Sequence, residues 1–393
     1  MSDSEVVILS GARTAIGGFG GSLASVPPTQ LAATVTGAAL ERGGVRPDQI
    51  GTVVFGHVLN TEPRDMYLSR VAMLDAGIPD TATAMNVNRL CGSGAQAIVS
   101  ATQALLLGDA DFAVAGGAES MSRAPYAVPS ARFGAKMGDV KMLDMMVGAL
   151  TCPMGTGHMG VTAENVAAEN SISRQDQDEF ALESQNRAAK AIAEGRFKDQ
   201  IVPIEIKTRK GVTAFDTDEH PKETTLEKLA GLRPAFAKEG SVTAGNASGI
   251  NDGAAAIVLA RADAAKAAGL VPRFRVLGYA IAGVPPHIMG VGPIPAVQDL
   301  LKRTGLSVGD FDVIESNEAF AAQAIAVNNG LGLDSARVNP NGGAVALGHP
   351  VGATGAILTV KAMYELDRIG GSKALVTMCI GGGQGIALAI ERI

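Results

Sequence analysis

The chain predicts an α/β protein with a mostly buried sheet, built from two related halves. Three observations carry this. Short β-like runs alternate with Ala-rich helical runs, the order expected of a helix-covered sheet. Glycine clusters punctuate the ends of those runs: GGFGG at 17–21, GSG at 92–94, GG at 116–117, GG at 342–343 and GGGQG at 381–385. Finally, residues 92–120 can be laid beside 352–385. Both run Gly turn, apolar helix, strand, glycine pair, a weak internal repeat.

Taken in order, EVVILSGA (5–12) reads as a buried strand and PTQLAATVTGAALERGG (28–44) as a helix closed by glycine. IGTVVFGHV (50–58) is strand-like. GAQAIVSATQALLLGD (94–109) is a helix, followed by the strand ADFAVAGGA (110–118). In that helix Gln96, Ser100 and Gln103 form one thin polar stripe, so the rest should be surrounded by protein. From about 121 to 245 methionines, prolines and charges become common, and the stretch reads as an insertion. Within it SRQDQDEFALESQNRAAKAIAEG (173–195) is an amphipathic helix with Ser173 as N-cap and Gly195 as stop. The α/β texture resumes at 248 and runs to the end, including a helix over 354–367.

Bulk properties exclude several function classes. A length of 393 residues exceeds one ordinary core, so two or more folding units are expected. With 47% hydrophobic and 18% charged residues the chain is globular. A net charge of −6 gives no electrostatic case for nucleic acid or an anionic membrane as partner. No uninterrupted apolar run approaches the roughly 18 residues of a membrane span. Neither end carries a recognisable targeting signal, which makes a cytoplasmic location the expectation. The three cysteines, Cys91, Cys152 and Cys379, are odd in number and widely spaced, which points to reduced thiols. The five histidines are isolated from one another, so no metal is expected.

Four places can carry chemistry. Cys91, in NRLCGSG, sits at a predicted helix start, where free N–H groups and the helix dipole would lower a thiol pKa. The same stretch fits the loose dinucleotide fingerprint G-x-G-x-x-A, a competing reading. His349 stands in the glycine-dense loop NPNGGAVALGHPVGATGA, the repeat partner of the Cys91 turn; a Cys–His pair from two halves would be a nucleophile and its base. Cys379 closes an apolar strand and enters glycines, as a core cysteine or as a general acid/base tuned near neutral, with the Gly381 N–H available to an oxyanion hole. Asn317 follows the strand FDVIES, either as an N-cap or as an amide that orients a water or a carbonyl.

Together these blocks resemble the thiolases, that is, the acetyl-CoA acetyltransferases and 3-ketoacyl-CoA thiolases. The matching blocks are NRLCGSG, GGAESMS, HMGVTAENVA, SRQDQDEFALES, LRPAF, GNASGINDGAAA, SNEAFA, GGAVALGHPVGATGA and CIGGGQG, spread over essentially the whole chain. The resemblance implies a five-layered αβαβα fold of two duplicated βαβαβαββ halves. The first half would be 1–120, completed by 246–270, the CoA-binding loop domain 121–245, and the second half 271–393.

It also implies ping-pong chemistry with acyl-CoA and CoA as substrates and no separate cofactor. Cys91 would take an acyl group, His349 would activate Cys91, and Cys379 would remove the α-proton of a second acetyl-CoA or assist entry of CoA. One oxyanion hole would use His349 and a water held by Asn317, the other the N–H groups of Cys91 and Gly381. The positions matching CoA-binding residues are Leu150, His158, Met159, Lys222, Leu229, Phe236, Ala244, Ser248, Met289, Ala319 and Phe320. Lys222 stands where many relatives have Arg, which keeps the charge and loses the bidentate fork. TCPMGTG (151–157) is divergent and would shape the acyl pocket, with Cys152 structural. HMG at 158–160 resembles the short-chain, biosynthetic-type members. That favours acetoacetyl-CoA and somewhat longer 3-ketoacyl chains, as in polyhydroxyalkanoate precursor supply. The resemblance further implies a homotetramer assembled from dimers.

Overall fold

The computed structural model describes residues 5–208 and 211–393. Nine strands make up the body of its main sheet: β1 (Val6–Arg13), β2 (Thr52–Gly56), β3 (Thr83–Val87), β4 (Phe112–Ser120), β5 (Asn251–Arg261), β6 (Phe274–Gly283), β7 (Val313–Ser316), β8 (Lys373–Ile380) and β9 (Gln384–Arg392). The main helices are α1 (Pro28–Gly43), α2 (Leu68–Asp75), α3 (Ser93–Leu107), α4 (Met159–Glu169), α5 (Arg174–Ala193), α6 (Pro293–Thr304), α7 (Ala321–Leu331) and α8 (Thr354–Ile369).

The strand order makes the duplication visible. It runs β3-β2-β4-β5-β1-β6-β9-β8-β7, with the short strand Gly17–Gly18 added beside β5. Read outward from the centre, β1 corresponds to β6, β5 to β9, β4 to β8 and β2 to β7. The counterpart of β3 is reduced to a bridge between Ile314 and Val338. Antiparallel pairs sit at the centre and parallel pairs at both edges. The halves join through two residue pairs, Val7–Arg275 and Ile8–Phe274. Even the irregularity is repeated, since β1 shifts register between Ile8 and Ser10, and β6 between Val276 and Gly278.

Five layers follow from which helices touch which strands. α1 covers the outer face of the first half on β1, β4 and β5, with α2 beside it. α6 covers the second half on β6 and β9, with α7 beside it. α3 and α8 fill the middle, packed on each other, and α8 touches strands of both halves. They cross backbone to backbone: a Cβ on Gly94 would overlap the Ala356 nitrogen, and one on Gly355 the Ala95 nitrogen. Only glycine permits that approach. Covered on both faces, β1 is buried along its whole length, from the apolar run Val6–Leu9 to Ser10 and Arg13, which are buried with hydrogen-bond partners.

The stripe of Gln96, Ser100 and Gln103 is the less buried line of α3, although its last turn opens further than expected, exposing Leu106 and Leu107. Residues 90–107 are long and apolar enough by composition to cross a membrane. Here residues 93–107 of that stretch form the core helix between two sheet halves, which accounts for the same composition.

Residues 121–250 connect β4 to β5 and carry α4, α5 and the hairpin Ile204–Thr208/Gly211–Phe215. Ser173 caps α5, its Oγ accepting the Asp176 N–H while Asp176 accepts the Ser173 N–H; Gly195 follows the helix at φ 68°. A buried ion pair ties this region to β1. Arg13 grips Asp218 with two bonds, of 2.7 and 2.9 Å, and Gln200 with a third. Removing either charge would leave the other buried and uncompensated, a loss of about 3–5 kcal/mol.

Candidate active site

Four loops converge where the two halves and the connecting region meet. The first carries Cys91. Leu90 adopts φ 46°, rare for a branched side chain, and the turn is locked by Ser93, whose Oγ donates to the Leu90 carbonyl and accepts the Arg89 N–H. Arg89 reaches Gln96 on α3 and Gln384 on β9, fixing the turn to both halves. Gly92, the residue before α3, has no room for a side chain against Ile380. These glycines serve close packing against β8 and α8, so the dinucleotide reading of GSGAQA has no open loop to stand on.

Cys91 keeps part of its surface open to a cleft, while its sulfur is surrounded by protein. Burial pushes the thiol above its ordinary pKa, and the N–H groups of Gly381 and of Cys91 itself only partly offset this. The sequence expectation was the opposite. Cys91 lies one residue outside the helix N-cap, and desolvation outweighs the dipole.

His349 is buried, 5% exposed. Its Nδ1 lies 2.7 Å from Thr354 Oγ1, and the Thr354 hydroxyl donates to the Pro350 carbonyl at 2.9 Å. With its single hydrogen used there, Oγ1 must accept, so His349 carries its proton on Nδ1 and presents a bare Nε2. Nε2 lies 3.5 Å from the Asn317 amide nitrogen. Burial lowers the imidazole to a pKa of about 4, which keeps it neutral. The glycines of its loop do not leave the ring open to solvent.

Cys379, near the end of β8, is 1% exposed. Burial, with the neighbouring Cys91 adding to it, pushes its thiol far above the usual range, well away from the near-neutral tuning the sequence suggested. Asn317 is no N-cap, because α7 begins four residues later with Phe320 as its cap. Its backbone N–H bonds to Thr377, and its Oδ1 is buried with no partner among the described residues. An unpaired buried acceptor costs about 1–3 kcal/mol, so this oxygen is set to receive a donor.

Cys91, His349 and Cys379 all line one cleft of about 400 Å³. So do Leu150, His158, Met159, Lys222, Phe236, Ala244, Ser248, Met289, Ala319 and Phe320. His158 caps α4 through its Nδ1 and stacks on Phe236 at 4.8 Å, and Phe320 meets Phe236 edge-on at 6.1 Å. Ser248 and Ala319 are joined by a backbone bond, which sets two cleft walls against each other. Lys222 lies at the junction of this cleft with a second groove along α5, its N–H held by Gln185.

Three predicted residues do not line it: Leu229 is buried against Ala181 and Val345, Asn317 stands behind His349 Nε2, and Gly381 meets the Cys91 sulfur through its backbone N–H. Cys152 is buried and packs with Met159 and Cys379. Among the described residues no group of three or more His, Cys, Asp or Glu is placed to hold a metal ion.

Sequence reasoning missed several lining residues, notably Met121, His220, Ile250 and Val351. Val351 was within reach, two positions past His349 in the same motif. His220 was not, because its place depends on the 216–222 segment folding back through Asp218 onto Arg13. Burial and the nearby Lys222 hold His220 down to a pKa of about 4.

Family models of the thiolase N-terminal and C-terminal domains match residues 6–263 and 270–392. The chain belongs to the thiolase family. This thiolase is 61% identical to beta-ketothiolase BktB of Cupriavidus necator over 391 residues, covering 99% of both chains. It is 50% identical to an acetyl-CoA acetyltransferase of the same organism, covering 99% of this chain and all of the other. Among solved structures it resembles the Bacillus anthracis acetyl-CoA acetyltransferase, with a TM-score of 0.97, 47% identity and 99% of both chains covered. The human mitochondrial 3-ketoacyl-CoA thiolase in complex with CoA matches with a TM-score of 0.96 and 44% identity, over 99% of this chain and 98% of that one.

Proposed function

We propose that this thiolase catalyses the reversible Claisen condensation of two acetyl-CoA to acetoacetyl-CoA and CoA, and the thiolysis of short 3-ketoacyl-CoAs, through an acyl-Cys91 thioester. The observation that carries the reading is the meeting of two thiols and a neutral imidazole from both halves in one cleft. In acylation Cys91 Sγ attacks the thioester carbonyl as its proton passes to His349 Nε2. The C–S bond to CoA breaks, and the departing thiolate takes the Cys379 proton. Cys379, now a thiolate, removes the α-proton of the second acetyl-CoA, and the resulting carbanion attacks the acyl-Cys91 carbonyl. Cys91 leaves and recovers its proton from His349. A thiol of high pKa gives a strong conjugate base, which suits a weakly acidic C–H.

Anion stabilisation has two sources. The N–H groups of Cys91 and Gly381, both directed at the Cys91 sulfur, can serve an oxyanion on the attacked carbonyl. Protonated His349, with a water held by the unpaired Asn317 Oδ1, serves the other. CoA binding rests on the aromatic wall of His158, Phe236 and Phe320, with Lys222 toward the phosphates. Leu229, a sequence candidate for CoA contact, acts at one remove by packing under α5 and the 345 segment.

The reading includes a cytoplasmic setting, in keeping with three free cysteines, of which the reaction needs Cys91 and Cys379 reduced. It also includes a tetramer, supported by exposed apolar side chains at Phe133, Met137 and Met142. Light scattering on the purified chain tests the tetramer. Acetoacetyl-CoA cleavage with added CoA tests the function, together with mass spectrometry after acetyl-CoA incubation. Acetyl on Cys91 and loss of turnover in Cys91→Ser are expected. Labelling at Cys379 or Cys152 instead would overturn the roles.

A further inference from the structure

His349 belongs to the second half, but much of what holds its loop belongs to the first. Glu119, near the end of β4, is fully buried and sits under that loop. Its Oε2 accepts the Gly352 N–H at 2.9 Å and the Val58 N–H at 3.1 Å, and its Oε1 accepts the Leu59 N–H at 3.1 Å. His57 Nδ1 lies 3.4 Å from Oε1 and 2.9 Å from the Ala118 carbonyl. The loop backbone rests directly on the carboxylate, since a Cβ on Gly352 would overlap Oε2.

A second anchor lies three residues earlier in the loop. Asn251, the first residue of β5, accepts the His349 N–H on Oδ1 at 2.9 Å and donates its amide to the Gly17 carbonyl at 3.0 Å. A Cβ on Gly348 would overlap the Asn251 side chain. Between the anchors Pro350 has a fixed φ and no N–H. Its carbonyl takes the Thr354 hydroxyl that orients the imidazole. The ring is thus set from within the loop, and the loop is set from the other half.

We infer that Glu119 and Asn251 are positioning residues for His349, holding the 348–352 loop of the second half so that the bare Nε2 faces the Cys91 cleft. Neither touches the reacting atoms in this arrangement. The inference rests on His349 acting as the base for Cys91. Glutamine at 119 cannot replace the carboxylate, because its amide would turn an N–H toward one of the N–H donors of Gly352, Val58 or Leu59. Alanine at 251 removes the acceptor for the His349 N–H. A displacement of the base by about 1 Å costs on the order of 100-fold in rate. The aromatic wall on which CoA rests is built by other segments and stays in place.

The test uses Glu119→Gln and Asn251→Ala in the full chain. Three quantities are read: the single-turnover rate of acetyl transfer from acetyl-CoA to Cys91, the Kd of CoA by calorimetry, and Tm. Acetyl transfer is expected to slow by about 10- to 100-fold, with the CoA Kd within twofold of wild type. Transfer within twofold of wild type in a folded variant overturns the inference. So does an equal loss in transfer and CoA binding, which marks a merely structural role. If Glu119→Gln does not fold, Asn251→Ala decides by the same criteria. Wild type that fails to acetylate at Cys91 overturns the proposed reaction, and this inference with it. Rapid acetylation in wild type and variants alike overturns this inference alone.

Discussion

Thr354→Val isolates the proton placement on His349. Valine keeps the shape of threonine and removes its hydroxyl. In the wild type that hydroxyl accepts the Nδ1 proton at 2.7 Å and donates to Pro350 at 2.9 Å. In the variant the reactive tautomer must leave a buried Nδ1–H unpaired, which costs about 1–3 kcal/mol. The imidazole can avoid that cost by moving its proton to Nε2, but then it cannot accept the Cys91 proton. Either way the same energy separates the resting enzyme from the competent one. It converts to roughly a 5- to 150-fold fall in kcat/KM. The assay is thiolysis of acetoacetyl-CoA, with acetylation of Cys91 measured in a single turnover. CoA affinity should hold, because Thr354 lies outside the cleft lining. A folded Thr354→Val enzyme within twofold of wild type would refute the tautomer argument.

Three further outcomes follow from the same geometry. His349 titrates near 4 in the folded chain and near 6.5 unfolded, so between those values the unfolded state binds more protons and stability falls with falling pH. His349→Gln should flatten the slope of unfolding free energy over that window by up to about 1.4 kcal/mol per pH unit, read by denaturant titrations; an unchanged slope contradicts a neutral buried imidazole. Leu229→Ala should lower stability by about 2–5 kcal/mol while leaving the CoA Kd within a few-fold, and a large loss of CoA affinity in a stably folded variant would place Leu229 in the cleft after all. Gly160→Ala puts a methyl into the Phe236 ring, so it should shift that ring off His158 and raise the KM for CoA with little change in kcat; an unaltered KM would mean the stacked pair does not support CoA.

What the sequence made legible was periodic or chemically loud. Alternation, glycine ends and the repeat led to two halves. The palindromic strand order, with matched irregularities in β1 and β6, is the structural form of that repeat. Cys91, His349 and Cys379 were visible because thiols and an imidazole stand out in apolar, glycine-rich surroundings. Their ionisation was not visible. The expected lowering of Cys91 by a helix start and the neutral tuning of Cys379 both failed, because desolvation depends on what packs around the sulfur, and that comes from distant segments. The N-cap reading of Asn317 failed for a local reason, since residues 317–320 are not helical and Phe320 caps α7 instead. Glu119 was hidden among strand residues, and only the folded loop shows that three N–H groups converge on it.

These ionisation states bear on how the site works. A resting thiolate would be a better match to the sequence expectation, yet thiol nucleophilicity falls as pKa falls. Holding Cys91 and Cys379 protonated, and His349 neutral, keeps formal charge off these three groups until substrate enters. Charge then appears only as bonds change, beside groups already aimed to receive it: bare Nε2, the N–H groups of Cys91 and Gly381, and the unpaired oxygen of Asn317. In such a site the orientation of neutral groups matters more than their resting pKa values. In the proposed reaction the supports of the His349 loop, drawn from the opposite half, therefore matter as much as Cys91, Cys379 and the imidazole themselves.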